Sequence, residues 1–452
     1  MESTLKHRPA RALRTLGVVV AAGALVAACS SGSSSSSTTT TKGSSGSGSS
    51  GSTINSALAL SYTGGKAGKA DSSLSPIRVG YVNQQYGSPS YPENTEGANL
   101  AVKYINENLG GLQGHPLQLV SCYVATEEDG QKCGTQFLND PTINLVVTGT
   151  MVVGNASLYS VLGGKKPIII GNGLTAADFS QTGAVTYTPG SPVTVSGMSK
   201  WLLDGGLGTI HSVAVVSTND AGAKAATQLL FAPPLQKAGI KVTEVFISPT
   251  AQGADVASAV KAAGGGTADV FVPIAPVQGC IAVYDALKSL GIHPKVLTTG
   301  LCFGTPLIQH LNGTFPNGWY FGAYGVNYFM PPMASVPASE QLALYEQVVK
   351  KYNPTMEYTG FAGPTFSNIL TVAHFYNQLG PTATLQQLTD ATKNFTGPAW
   401  GIPGTPVACG KISPALFPTL CVGQMGIEQF LNGKWIAIAD AYNNKLISPF
   451  AG

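Results

Sequence analysis

Residues 76–121 read PIRVGYVNQQYGSPSYPENTEGANLAVKYINENLGGLQGHPLQLVS, and the changes of pattern within them decide the fold. Ile77-Arg78-Val79-Gly80-Tyr81-Val82 is a short apolar run that reads as a buried strand. A polar, aromatic loop follows from Asn83 to Pro92. From about Glu93 to Leu109 the apolar residues Ala98, Val102, Ile105 and Leu109 recur at i, i+4, i+7 and i+11, one face of a 3.6-residue period. Gly110-Gly111 stops that helix, and Leu117 to Ser121 is a second strand. Strand, helix and strand in this order make a right-handed βαβ unit with parallel strands.

The rhythm continues outward. Asn144 to Thr148 and Lys166 to Ile170 are further strands. It restarts at Ser212-Val213-Ala214-Val215-Val216, with a helix from about Ala221 and strands at Lys241–Phe246, Asp269–Pro273 and Val296–Thr299. Helices fall between them at Asp255–Ala263 and Ile281–Leu290. Pro233-Pro234 predicts a break in the helix after Ala221, because a proline inside a helix removes a hydrogen bond and clashes one turn back. The stretch from Ser339 to Phe395 is helical in pattern, and Met425 to Ala439 reads as a hairpin around Asn432-Gly433. Two α/β units in one chain predict two lobes.

Ahead of this lies a different chain. A basic stretch to Arg14 precedes a 13-residue apolar segment, Leu16 to Ala28. That is short for a bilayer-spanning helix, which needs about 20 residues, and right for the core of a secretory signal. Val26-Ala27-Ala28-Cys29 resembles the lipobox of bacterial lipoproteins, in which the cysteine becomes the lipid-modified N-terminus; ordinary secretion, with Cys29 incidental, is the alternative. From Ser30 to Thr53 every residue but Lys42 is Ser, Thr or Gly, a composition that cannot offset its ordering entropy. The expectation is a signal peptide over 1–28 and a lipidated Cys29 with a disordered tether over 29–75. A tether of ~45 residues would reach roughly 35–40 Å.

Of 25 basic and 22 acidic residues, Lys6, Arg8, Arg11, Arg14 and Glu2 fall within the first 28, leaving 21 of each sign. A neutral mature chain gives no electrostatic footprint for nucleic acid. Beyond Cys29 six cysteines remain, and these allow 15 pairings. They fall in three close couples, Cys122 and Cys133, Cys280 and Cys302, Cys409 and Cys421, and the expectation is three local disulfides in an exported protein. No C-x-x-C occurs and the six histidines are scattered, which gives zinc or thioredoxin-type chemistry no support. Gly171-Asn172-Gly173-Leu174-Thr175-Ala176 has the form G-x-G-x-x-A after a strand, but the acidic partner about 20 residues on is missing. No cofactor and no metal are expected.

The run Glu96-Gly97-Ala98-Asn99-Leu100-Ala101-Val102-Lys103-Tyr104-Ile105-Asn106, then Gly110-Gly111-Leu112-Gln113-Gly114-His115 and a strand, resembles the opening of Leu/Ile/Val-binding-protein-type receptors. Val213-Ala214-Val215-Val216 through Ala238-Gly239-Ile240-Lys241-Val242 resembles the start of their second lobe. Ala268-Asp269-Val270-Phe271-Val272 through Leu290-Gly291-Ile292 resembles a later unit. The resemblance implies an α/β chain of two Rossmann-like lobes with mostly parallel sheets, joined by a three-crossover hinge, the type I periplasmic-binding-protein fold. It sets lobe 1 at 76–192 plus 322–410 and lobe 2 at 193–321 plus 411–452, with crossovers near 190–196, 317–325 and 405–425. It implies a non-enzymatic monomer that captures a small-molecule solute and hands it to an ABC permease and ATPase complex, anchored to the outer face of the cytoplasmic membrane through lipid. A ligand-sensing receptor for a membrane signalling partner shares the fold, and a lipid-anchored enzyme is a further alternative, since catalytic groups need not be local in sequence.

Ligands of parallel sheets sit beyond the carboxyl ends of the strands, which selects the candidate loops. In lobe 1 the candidates are Gln85, Tyr86 and Tyr91 in the first loop and Gly173 in a later one, and the resemblance implies Thr150, Val153 and Thr175, at or near positions where family amino-acid binders hold a carboxylate. In lobe 2 they are Asp220, Gln278 and Phe303, with Tyr324 after a crossover. Family amino-acid binders place an acidic group for the ligand ammonium in the loop here read as Thr299-Gly300-Leu301-Cys302-Phe303, and none is present. An unpaired ammonium in a closed cleft would cost several kcal/mol; the expectation is an amino-acid-like or other small organic solute, and a neutral or anionic one with apolar surface fits these loops better.

Overall fold

The computed structural model describes residues 54–323, 337–402, 405–413, 415–441 and 443–450. Cys29, the segment expected to be a signal peptide and Tyr324 lie outside the described residues. Lobe 1 carries five parallel strands, β1 (Ile77–Asn83), β2 (Leu117–Tyr123), β3 (Val146–Thr148), β4 (Ile168–Ile170) and β5 (Ala184–Thr186), in the order β2-β1-β3-β4-β5. Its helices are α1 (Ala57–Thr63), α2 (Pro92–Asn108), α3 (Glu127–Asn139), α4 (Asn155–Leu162) and α5 (Ala176–Ser180). Lobe 2 has β6 (Ser212–Thr218), β7 (Lys241–Ile247), β8 (Val270–Ile274), β9 (Lys295–Thr299), β10 (Tyr320–Ala323), β11 (Gly426–Leu431) and β12 (Lys434–Ala439). Their order is β12-β11-β10-β9-β8-β6-β7, parallel except around β11, which runs antiparallel to both neighbours. The helices of this part are α6 (Gly190–Leu203), α7 (Ala221–Ala225), α8 (Ala232–Lys237), α9 (Ala254–Ala263), α10 (Val277–Leu290) and α11 (Thr305–His310). The chain then returns to lobe 1 for α12 (Pro337–Tyr352), α13 (Ala362–Leu379) and α14 (Leu385–Lys393).

The strands are apolar on both faces because both faces are covered. In lobe 1, Val79, Tyr81, Val147 and Ile169 pack into the core under α2 and α13, while Val82, Val146, Ile168 and Ile170 enter the core under α3 and α4. Lobe 2 repeats the alternation: Val213, Val215, Val272 and Leu297 face one core, and Ala214, Val216, Phe271 and Val296 the other. The β11–β12 hairpin turns on Asn432 and Gly433, both at positive φ (51° and 75°), the geometry that the Asn-Gly pair supplies at least cost.

The chain passes between the sheets after β5, after β10 and after α14. The first and third passages lie side by side: the Thr186 amide donates to the Thr419 carbonyl over 2.8 Å, and the Cys421 amide donates to the Thr186 carbonyl over 3.1 Å. All three local cysteine couples are bridged. Cys122–Cys133 ties β2 to α3, Cys280–Cys302 ties the start of α10 to the turn after β9, and Cys409–Cys421 closes a loop beside the hinge.

Three expectations need correction. Residues 54–75, expected in the tether, are folded onto lobe 1. Ile54, Ala59 and Thr63 are buried, the Tyr62 hydroxyl pairs with Thr371 of α13 over 2.7 Å, and the following backbone hydrogen-bonds to residues 106–109. The run INSALALSYT has enough apolar surface to dock once α13 offers a partner, which its Ser- and Gly-rich surroundings conceal. Pro233-Pro234 does not break the helix after Ala221. Residues 226–231 widen into a π-helical turn, with the Ala232 amide reaching back to the Thr227 carbonyl, and the prolines sit in the first turn of α8. Finally, the lobe boundary set at 322 cuts β10, which belongs to the second sheet.

Candidate ligand-binding cleft

The strands of lobe 1 end in a buried polar knot that fixes the loops above them. Asn83 Nδ2, at the end of β1, donates to the Tyr91 carbonyl (2.7 Å) and to Thr95 Oγ1 (3.1 Å), and Asn83 Oδ1 accepts from the Thr150 amide (3.2 Å). Asn94 Oδ1 accepts from Thr365, Thr150 and Asn172, and Gln84 Oε1 accepts from the amides of Val152 and Val153. A second knot forms on Asp178, which receives the amides of Leu174 and Thr175 and the side chains of Asn155 and Tyr159. Burial pushes the Asp178 carboxyl up, and these hydrogen bonds oppose the shift.

Above the knots, between the lobes, lies a cavity of about 350 Å³. From lobe 1 it is lined by Tyr91, Glu93 and Glu96 and by Glu357, Thr359 and Phe361. Lobe 2 contributes Pro276, Val277, Gln278, Leu301, Phe303 and Pro306. A small cavity of about 30 Å³ shares Tyr91, Pro276 and Leu301 with it and adds Asp220 and Thr299. The rings of Tyr91 and Phe361 meet edge to face, 5.9 Å apart. Across the cleft, the Gly360 amide donates to the Phe303 carbonyl over 3.0 Å, and the Thr305 amide donates to Thr359 Oγ1 over 3.1 Å.

Of the candidate residues, Tyr91, Gln278 and Phe303 line the larger cavity and Asp220 the smaller one. Gln85, Tyr86, Thr150, Val153, Gly173 and Thr175 line neither. Gln85 accepts from Thr95, Thr150 is spent in the knot around Asn94, and Thr175 caps α5 through Asp178. Gly173 lacks a side chain because Phe179 fills the space a Cβ would take. Val153 takes part through its amide alone, and Tyr86 is 60% exposed against Tyr123. Asp220 also caps α7, accepting from the Ala223 amide over 2.9 Å.

Sequence reasoning missed the three glutamates. Glu93 and Glu96 lie in the first turns of α2, directly after Tyr91 and Pro92, where their spacing was a usable signal. Glu357 comes from the loop between α12 and α13 and carries no local sign of its role. Burial, and the nearby charges of Glu357 and Glu96, push the Glu93 carboxyl up to about 8; burial also raises Glu96. The 299–303 loop does lack an acid, as read, but the cleft does not, so the step from that loop to an ammonium-free ligand fails. Among the described residues no group of three His, Cys, Asp or Glu side chains is placed to hold a metal ion.

Two doubly wound lobes with a cavity between them, beyond the carboxyl ends of their parallel strands, define a protein that encloses a small molecule. Residues 76–408 match the family described as periplasmic binding protein, and the chain belongs to that family, in its type I fold. No curated protein sequence matches it. Among solved structures it is similar to the branched-chain amino acid transporter substrate binding protein LivJ from Streptococcus pneumoniae, in complex with isoleucine (17% identity, 80% of this chain and 98% of that one, TM-score 0.61). It is similar also to a fatty acid ABC transporter substrate-binding protein from Thermomonospora curvata (16%, 86% and 99%, 0.65). A third is the solute binding protein of an ABC transporter from R. palustris in complex with 4-hydroxybenzoate (14%, 80% and 95%, 0.63).

Proposed function

We propose that the protein is an extracytoplasmic solute-binding lipoprotein that closes its two lobes on a small organic molecule and delivers it to an ABC-type importer. The observation that carries this reading is the cavity of about 350 Å³ walled by Tyr91 and Phe361 from one lobe and Phe303, Leu301 and Val277 from the other. A largely apolar enclosure with a few placed polar groups suits capture of a small solute, and neither the cleft nor its rim needs covalent chemistry to do so. Cys29 carries the lipid, and the Ser/Thr/Gly tract after it links the lipid to the receptor. A thermal-shift screen tests solute capture: a ligand at 100 times its Kd adds about 2.7 kcal/mol of stability. Cys29→Ala tests the anchor, and the variant is expected to leave the membrane fraction for the soluble one.

A further inference from the structure

The walls of the cleft are one-sided in charge. Glu93, Glu96 and Glu357 line the larger cavity and Asp220 the smaller, and among the described residues no Lys, Arg or His lines either. Residues 324–336, the only long internal stretch outside the described residues, contain no basic residue in their sequence. The hydrogen bonds reaching the three glutamates come from neutral donors. Glu96 accepts from the Glu357 amide over 3.0 Å, Glu357 from Thr305 and Thr359, and Glu93 from the Phe361 amide. In the larger cavity, which Glu93 lines, lobe 2 presents only uncharged groups, among them Pro276, Gln278 and Phe303.

Carboxylates gathered in a partly dry cavity with no counter-charge repel one another and lose hydration. A cationic guest removes both penalties, and the faces of Tyr91, Phe303 and Phe361 suit a desolvated cation. A second mark of a polar guest is Thr299. It is 1% exposed and lines the smaller cavity, and its Oγ1 has no hydrogen-bond partner. Such a buried hydroxyl is costly unless something pairs with it. A carboxylate on the guest would find no basic side chain here, and the hydroxyls of Thr150 and Thr175 are already committed to the polar knots. The acidic groups do not form a metal-holding set, so the cation is organic.

We infer that the solute taken by this cleft is an organic cation, an ammonium or amidinium group on an apolar body with no carboxylate beside it. The inference rests on the solute-capture reading and names its ligand class. Because Glu93 holds its proton near neutral pH, seating the cation expels that proton, and affinity rises with pH until Glu93 is ionised in the empty protein.

The test is calorimetric titration of the protein with n-hexylamine and 2-phenylethylamine, each beside its corresponding alcohol and carboxylate, with phenylalanine as zwitterion. The expected result is that an ammonium binds about ten-fold or more tightly than its alcohol, the worth of one charge-assisted hydrogen bond, and that the carboxylate and zwitterion trail both. The heat at pH 7 should depend on the buffer's ionisation enthalpy, reporting proton release, and Glu93→Gln should abolish that dependence while the fold persists. Preference for a carboxylate, alcohol or zwitterion overturns the charge assignment and leaves solute capture standing. Silence from every class overturns both.

Discussion

The Thr305 hydroxyl of lobe 2 donates to the Glu357 carboxylate of lobe 1 over 2.8 Å, and the Thr305 amide donates to the same oxygen over 3.4 Å. This contact crosses the mouth of the cleft and exists only while the lobes are together. Thr305→Val and Glu357→Gln should each favour the open form, and a double-mutant cycle on urea stability should return a coupling of about 1–2 kcal/mol. Strictly additive effects would remove the contact from the closing machinery.

Glu93 sets a pH dependence of stability. Its ordinary value near 4.5 is pushed up to about 8, so between those values the folded chain holds a proton that the unfolded chain has lost. Stability from this group is therefore fully present below about 4.5 and declines as pH rises to about 8, by an amount on the order of a few kcal/mol. Urea denaturation at pH 5.5, 7 and 8.5 should show that decline in the parent, and Glu93→Gln should flatten it.

Helix α2 touches α13 backbone to backbone at Gly97, where an added Cβ would stand 2.2 Å from the Ala362 carbonyl oxygen. Phe361, just before that contact, lines the cleft. Gly97→Ala should force the helices apart and cost about 2–3 kcal/mol in the denaturation midpoint. Ligand affinity should fall with it, since the Phe361 ring rides on the displaced segment.

The arm at 54–75 lies ahead of the region that matches the family, yet it belongs to lobe 1. The Tyr62 ring packs 5.1 Å from Trp400 and 5.5 Å from His374, and Asn377 donates to the Thr63 carbonyl over 3.1 Å. A chain begun at Pro76 should melt earlier than one begun at Ile54, with a loss on the order of 3 kcal/mol from the apolar area uncovered. Equal melting temperatures would reduce the arm to an ornament of α13.

The parts legible in the sequence were those with local causes. The run from Ile77 to Val82 announces β1 by its apolar character, Asn432-Gly433 announces its hairpin by backbone chemistry, and the cysteine couples announce bridges by proximity. The cleft was less legible because its walls are assembled across the chain. Glu357 reaches Glu96 over 261 residues of sequence, and no window contains both. Thr150 and Thr175 misled because a hydroxyl at a strand end serves a buried knot as well as a ligand, and only the positions of Asn94 and Asp178 decide which. The arm at 54–75 was hidden for a related reason: its helix is stabilised by α13, some 300 residues away.

Closure of the two lobes on a solute, as proposed, is an equilibrium shifted by a ligand that prefers the closed form. Small-angle scattering of the protein with and without a solute that stabilises it thermally tests this most directly. The radius of gyration should fall on binding, and Thr305→Val should need more solute for the same contraction. A tight, stabilising ligand that leaves the scattering profile unchanged would contradict it.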